Sequence, residues 1–438
     1  MNMSGLSFNA LPPIDLPFRF FISAPLFIIA CAFLIFFSGE SLWLSRWTPS
    51  MLALTHGFTL GFLTTVIMGA LLQLLPVIGG IGIAKPRLVA SISHILHCFG
   101  VVFLMLAFIF AHQWLFLAAV SFLALGIGLY IAALTWVLVK KLSQGDSIVG
   151  FRFAIIAFAV LLVLGLALLS RNIELGYSLP FISISSDKHL TDIHALWGLV
   201  GWASLLIFAV SFQVLPMFHV APSFPKIISR FITWLLFSLL VLFVFVPWLA
   251  LPMLFIAHGI FAISLFYVIS KRKRKVPDTT IRYWQLAATS LLLINIIYFL
   301  PDNVMSALLG ESFAQQKVFL LAAIFIYFYL VSVIQGMLLK ILPFLSYTHL
   351  QQRCLMDFSA MKFLPHMHEF LNKQHGVILY YMHLFTGLSL LLVLFNSSFY
   401  WLFASLLLVE FLWLFFLMSK TMYLYFSINK KIILSCVD

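Results

Sequence analysis

Acidic residues are scarce in this 438-residue chain: 13 Asp and Glu stand against 25 Lys and Arg, and only 9% of residues are charged. Soluble domains carry about 25% charged residues, so this composition argues against a soluble globular fold. No carboxylate dyad is visible, which argues against most hydrolytic chemistry. Glycine-rich nucleotide loops and nucleophile elbows are also missing. The four cysteines, Cys31, Cys98, Cys354 and Cys436, form no C-x-x-C pair; neither a disulfide framework nor a thiolate zinc site is expected. No Lys-rich segment or small-residue cleavage site precedes the first apolar run, so that run is expected to be retained rather than removed as a signal peptide.

What the chain has in abundance is apolar sequence, 63% of residues with mean hydropathy +1.13. The fold class is an all-α polytopic membrane protein. A span needs about 20 mostly apolar residues, and that rule gives twelve, at roughly 18–38, 51–77, 88–111, 114–139, 152–170, 192–217, 228–247, 249–270, 282–300, 317–343, 376–395 and 399–422. No stretch has the composition of a separate soluble domain, and the longest connection is expected at about 344–375. The net charge of +12 points to a bilayer rather than to nucleic acid. Lys85 and Arg87, Lys140 and Lys141, Lys226 and Arg230, Lys271 to Lys275, and Arg353, Lys362 and Lys373 fall on one set of loops. The tail adds Lys420, Lys430 and Lys431 to the same side, whereas Glu40, Glu174, Asp187, Asp192, Asp302 and Glu311 fall on the other. Cytoplasmic loops collect Lys and Arg, so both termini are expected in the cytoplasm. Trp114, Trp248 and Trp401 then mark the outer interface.

Three blocks of four spans, about 15–140, 150–270 and 280–425, look related. Spans one, five and nine open on Phe18-Arg19-Phe20, Phe151-Arg152-Phe153 and Ile281-Arg282-Tyr283. Spans two, six and ten end on Gln73-Leu74-Leu75-Pro76, Gln213-Val214-Leu215-Pro216 and Lys340-Ile341-Leu342-Pro343, with proline offsets 216 − 76 = 140 and 343 − 216 = 127. A two-by-six repeat competes, on His56-Gly57-Phe58 against His258-Gly259-Ile260. The three-block division is preferred.

Histidines recur inside these spans. An ionisable side chain in lipid usually faces a partner, a cavity or a cofactor, and neutral imidazole is the commonest metal ligand. His56 and His194 lie 20 and 22 residues before their matching prolines (76 − 56 and 216 − 194), which places them at similar outer depth, with His258 in the same half. His94 and His97 share one face of span three, and His383 reaches a similar inner depth on span eleven. Each has a plainer reading as a hydrogen-bonding core residue. Gly57, Gly61, Ala195 and Gly198 beside His56 and His194 leave room for a flat macrocycle or for close helix packing. Haem ligation at His56 and His194 is the leading reading; copper on His56, His194 and His258 is a further expectation. Glu410, mid-span in the last helix, is expected either to relay protons or to pair with a polar neighbour. Gln73, Gln213, Asn295 and Gln335 are expected to bridge helices. His112, His189, His219 and His349, at span ends, are expected to be solvated.

Phe18-Arg19-Phe20-Phe21, Thr55-His56-Gly57-Phe58 with Gly61-Phe62, and His194-Ala195-Leu196 together resemble the NnrS family over about residues 15–220. Those are twelve-span bacterial membrane haem proteins associated with nitric oxide, distantly similar to subunit I of haem-copper oxidases and nitric oxide reductases. The resemblance implies haem or metal ligation at His56 and His194, with His97 and His383 next. It does not extend to a complete oxidase ligand set: span ten has no histidine before His349, and span seven carries Trp234 but no histidine. The expected function is haem binding, with copper as an addition, in the response to nitric oxide or in respiratory redox chemistry. A proton-coupled secondary transporter and a haem or copper assembly factor for an oxidase are the alternatives.

Overall fold

The computed structural model describes residues 12–80, 82–140, 145–170, 187–355 and 358–435; Lys141, Glu174 and Cys436 lie outside them. Among the described residues, eleven helices are each long and apolar enough to cross a membrane: α1 (Asp15–Leu44), α2 (Pro49–Val77), α3 (Pro86–Phe110), α4 (Gln113–Lys140), α5 (Asp146–Ser170), α6 (Lys188–His219), α7 (Lys226–Phe245), α8 (Pro247–Ser270), α10 (Lys317–Cys354), α11 (Lys373–Phe395) and α12 (Ser397–Leu434). The ninth, α9 (Thr279–Phe299), completes the set when taken with Asp302–Leu308, from which it is bent by 113°. No strand occurs among the described residues. The protein is therefore an all-α polytopic membrane protein.

Local chemistry sets several helix starts. Thr48 accepts a hydrogen bond from the Met51 amide to cap α2, and Asp278 does the same for Thr280 at α9. Pro86 and Pro247 sit in the first turns of α3 and α8, where proline's missing N–H costs nothing. The Leu-Pro motifs stand near the ends of α2 and α6, at Val77 and His219, as expected, whereas the last of the three helices, α10, runs on past Pro343. The third helix continues to Cys354, so the connection expected at 344–375 is shorter. It carries two 3-10 turns, Phe358–Phe363 and Met367–Glu369.

Three π-helical segments, Gly57–Thr64 in α2, Trp197–Ser204 in α6 and Ile324–Val331 in α10, stand at equivalent places. Their offsets are 197 − 57 = 140 and 324 − 197 = 127, the same as those of the prolines. The three segments contact one another, and α1 packs along α12. The second helices of the three blocks thus meet at the centre, and the first block closes against the last.

Around that centre the contacts repeat. Trp202 Nε1 donates to Thr64 Oγ1 (3.0 Å), and Ser204 Oγ donates to the Tyr329 hydroxyl (3.2 Å). Trp202 and Tyr329 are both the sixth residue of their π segments; Thr64 and Ser204 are both the eighth. The corresponding residues of the third place in the cycle are Phe62 and Val331, which bring no polar atoms. Each polar pair buries its hydrogen bond between two blocks, where an unsatisfied group would be costly.

Outside the centre, glycine sets the spacing of first and second helices. A Cβ on Gly69 would lie 2.7 Å from Phe20 Cβ on α1, and one on Gly336 would lie 2.6 Å from Tyr283 Cβ on α9. Both positions are twelve residues past the start of a π segment. Gly69→Ala or Gly336→Ala is expected to destabilise by about 1–3 kcal/mol, since the opposing atom is a side-chain stem that cannot swing away. Gly128→Ala on α4, with nothing within 4 Å, is the control: thermal melting in detergent should leave it unchanged or slightly raised.

Candidate functional site

The outer histidines come together in part. His56 on α2 and His194 on α6 face each other with ring centroids 6.3 Å apart and planes inclined at 30°. His56 Nδ1 contacts the Leu52 carbonyl of its own helix at 2.8 Å, so Nδ1 carries the proton and Nε2 keeps its lone pair. That is how metal-ligating imidazoles are oriented. His194 Nδ1 is buried without a hydrogen-bond partner. The His194 ring lies over Gly165, its Cε1 3.0 Å from where a Cβ would stand; any larger residue there would push the imidazole away.

His258 on α8 repeats the His56 arrangement. Its Nδ1 contacts the Leu254 carbonyl at 2.7 Å, and its Nε2 is buried without a partner. Its ring, however, packs on Phe208, Phe325 and Tyr329. No group of three His, Cys, Asp or Glu residues able to hold a metal occurs among the described residues, so the trio expected for copper is not gathered. Shared depth did not fix which way the third ring points.

The inner histidines do different work. His97 and His383 occupy corresponding places: each meets the ninth residue from the start of a π segment. His97 Nε2 lies 3.1 Å from Thr65 Oγ1 and 3.1 Å from the Leu60 carbonyl, leaving Nδ1 buried and unpartnered. His383 Nε2 lies 2.7 Å from Ser332 Oγ, but its Nδ1 lies 2.8 Å from Glu410 Oε1. His94 meets Ser23 Oγ at 2.8 Å.

Glu410 is the centre of a closed network. Tyr327 OH donates to Oε2 (2.5 Å), and Gln335 Nε2 donates to Oε1 (2.6 Å). Tyr283 OH in turn donates to Gln335 Oε1 at 3.0 Å, and the Tyr327 ring stacks on His383 at 4.5 Å. Glu410, His383, Gln335 and Ser332 are all 0% exposed. Ten residues separate Glu410 from Tyr400 and His383 from Lys373, about 15 Å of helix in each case, half of a hydrocarbon core of about 30 Å. Of the two roles expected for Glu410, pairing is the one the structure displays. Ser332, His383 and Glu410 have the connectivity of a hydrolytic triad, but with all three sealed from solvent no substrate reaches the serine. Gln335 does bridge helices, and Gln73 donates to the Pro12 carbonyl; Asn295 bonds within its own helix, to Leu291.

One span-end histidine, His219, is not solvated as expected. His219 is 3% exposed and lies 3.6 Å from Asp278 Oδ2, which Lys340 Nζ approaches at 2.8 Å. Burial acts to raise the Asp278 carboxyl, but Lys340, His219 and the Thr280 amide together hold it below its ordinary value of 3.8. The stabilisation this gives is present above that value and is lost as pH falls through the lower folded one. His349 contacts the Tyr425 hydroxyl at 2.7 Å.

A scan with protein-family models and a search of curated proteins each return no match for this chain.

Proposed function

We propose that this membrane protein binds haem through His56 and His194 and acts in the response to nitric oxide or in respiratory redox chemistry, as the resemblance to NnrS proteins implies. The observation that carries the reading is the pairing of these two imidazoles across neighbouring blocks at 6.3 Å. Ring nitrogens bind metals at about 2.0–2.1 Å, so one metal has room between two rings at that centroid spacing. The donor set fits: His56 has its Nδ1 proton committed to Leu52, His194 has an unpartnered nitrogen, and Gly165 leaves the His194 ring its place, whereas Gly57, Gly61 and Gly198 serve close packing against Cys31, Phe27 and Leu161. Bound there, a haem would supply an electron-transfer iron if both imidazoles ligate, or an open position for a diatomic gas if one does. The surplus of Lys and Arg on one set of loops supports a cytoplasmic location for that face.

Absorption spectra of the purified protein, oxidised and dithionite-reduced, with a pyridine haemochrome assay, test the reading. A Soret band near one haem per chain is expected; no haem after expression with ample haem supply sinks it.

One observation favours a second reading, the proton-coupled transporter: a carboxylate and an imidazole share a mid-membrane network, which is where proton sites of transporters lie. That reading expects no haem spectrum and substrate-driven proton movement in proteoliposomes.

A further inference from the structure

At the basic end of the bundle, where the first and last blocks meet, lies a cavity of about 330 Å³ lined by residues of α1, α3, α10 and α12. Its polar wall is Asp15, Arg87, His349, Arg353, Tyr425 and Asn429, and its apolar wall is Pro13, Ile14 and Phe426. Nothing in the haem reading uses it.

Its charges do not balance. Asp15 Oδ2 is shared by Arg19 at 3.0 Å and Arg87 at 3.4 Å. Arg353 donates to Asn429 Oδ1 at 2.6 Å, a neutral partner, and no carboxylate pairs with it among the described residues. Arg19 lies outside the cavity wall and offsets Asp15, so Arg87 and Arg353 leave the wall with an excess of two positive charges. The long contact and high exposure of Arg87, 66% for its side chain, leave it free to turn to another anion. Tyr425 OH and the His349 ring add further hydrogen-bonding groups.

Depth identifies the anion's source. Trp401 stands at the opposite end of α12. Tyr425 and Asn429 are 24 and 28 residues further on (425 − 401 and 429 − 401), about 36 and 42 Å along a helix. A hydrocarbon core of about 30 Å within a bilayer of about 40–45 Å puts the cavity in the headgroup layer. Its apolar wall of Pro13, Ile14 and Phe426 suits the glycerol and upper acyl carbons of a lipid, not a free ion.

We propose that this cavity binds the phosphate headgroup of a phospholipid that carries two negative charges, with Arg87 and Arg353 clamping the phosphate oxygens. Arginine suits the task because its planar fork meets phosphate bidentately, and basic pockets between spans are where such headgroups lodge.

Native mass spectrometry of the intact protein tests this, with diphosphatidylglycerol, phosphatidylglycerol or phosphatidylcholine added at equal concentration. Wild type is expected to retain diphosphatidylglycerol in preference to the other two. Arg87→Gln with Arg353→Gln should bind it about thirtyfold more weakly, the worth of two interfacial arginines. Arg230→Gln, at the same basic end but away from the cavity, should bind as wild type does. If the double variant does not fold, Arg353→Gln alone is expected to lose about fivefold. Equal retention by wild type and variants overturns the proposal, and so does equal retention of the singly charged lipid. Thermal melting in detergent with inorganic phosphate is the remaining arm: a rise with phosphate alone, and no lipid retained, assigns the cavity to a free anion and overturns the headgroup.

Discussion

Glu410→Ala is expected to destabilise the protein by about 3–5 kcal/mol, the cost of removing one partner from a buried charged or polar pair. The carboxylate has three neighbours at hydrogen-bonding distance: Tyr327, Gln335 and His383. With the side chain gone, one Gln335 N–H and His383 Nδ1 lose their partner away from solvent, and the Tyr327 hydroxyl keeps only the His383 carbonyl at 3.3 Å. Each orphaned group adds its own desolvation cost. Glu410→Gln keeps an acceptor for Tyr327 and an amide that can meet His383, so its loss should be nearer 1–2 kcal/mol. Melting of the purified protein in one detergent, followed by circular dichroism, ranks the three proteins. A melting point for Glu410→Ala equal to wild type would mean that the network contributes nothing to stability. The corresponding histidine of the first block, His97, lacks a carboxylate and keeps only its hydroxyl and carbonyl contacts. His97→Ala should therefore cost less than His383→Ala.

His56→Ala and His194→Ala are expected to reduce bound haem to background or leave an altered spectrum, while His383→Ala retains the wild-type spectrum per folded chain. The distinction follows from what each ring already holds. Both nitrogens of His383 are engaged, by Ser332 and Glu410, and a ligand to iron would have to give one up. His56 holds only Leu52, through Nδ1. Removing it leaves no second ring at the same place, since its equivalents in the other blocks are Leu196 and Ala323. Gly165→Leu is the indirect counterpart: it leaves both imidazoles in the chain but drives a side chain into the position of His194 Cε1. The haem content of Gly165→Leu should fall with that of His194→Ala. A wild-type spectrum in His56→Ala and His194→Ala alike would show that these residues are not the ligands.

The fold class was legible because it rests on sums over long windows: an apolar chain with charge confined to loops has few other solutions. Helix ends were less so. The expected ends of α2 and α6 fall within two residues of Val77 and His219, whereas α10, expected to end at Pro343, runs on by eleven residues to Cys354. The histidines were visible as rare polar residues in lipid, and their depth followed from counting. Direction around the helix did not, because spans that are apolar on every side give no stripe from which to read a face. Three histidines of one expected depth thus part ways: His194 meets His56, whereas His258 turns toward Phe208 and Tyr329. Tyr327, Ser332 and Thr65 carried no signal of their own, since hydroxyl residues are common in spans. The π segments were hidden for the same reason as the helix faces, although the proline offsets already carried their spacing.

The π segments also bear on the protein's history. A π turn inside an α-helix accommodates extra length without rotating the helix on either side, and here it falls nineteen residues before a proline in α2, α6 and α10 alike. Three separate insertions at one place would need a coincidence repeated twice. One insertion in a four-helix ancestor, copied by two later duplications, needs none. On that account the histidines, which differ from block to block, are later changes to a shared scaffold. This explains why the backbone of the three second helices agrees in register while their polar side chains do not.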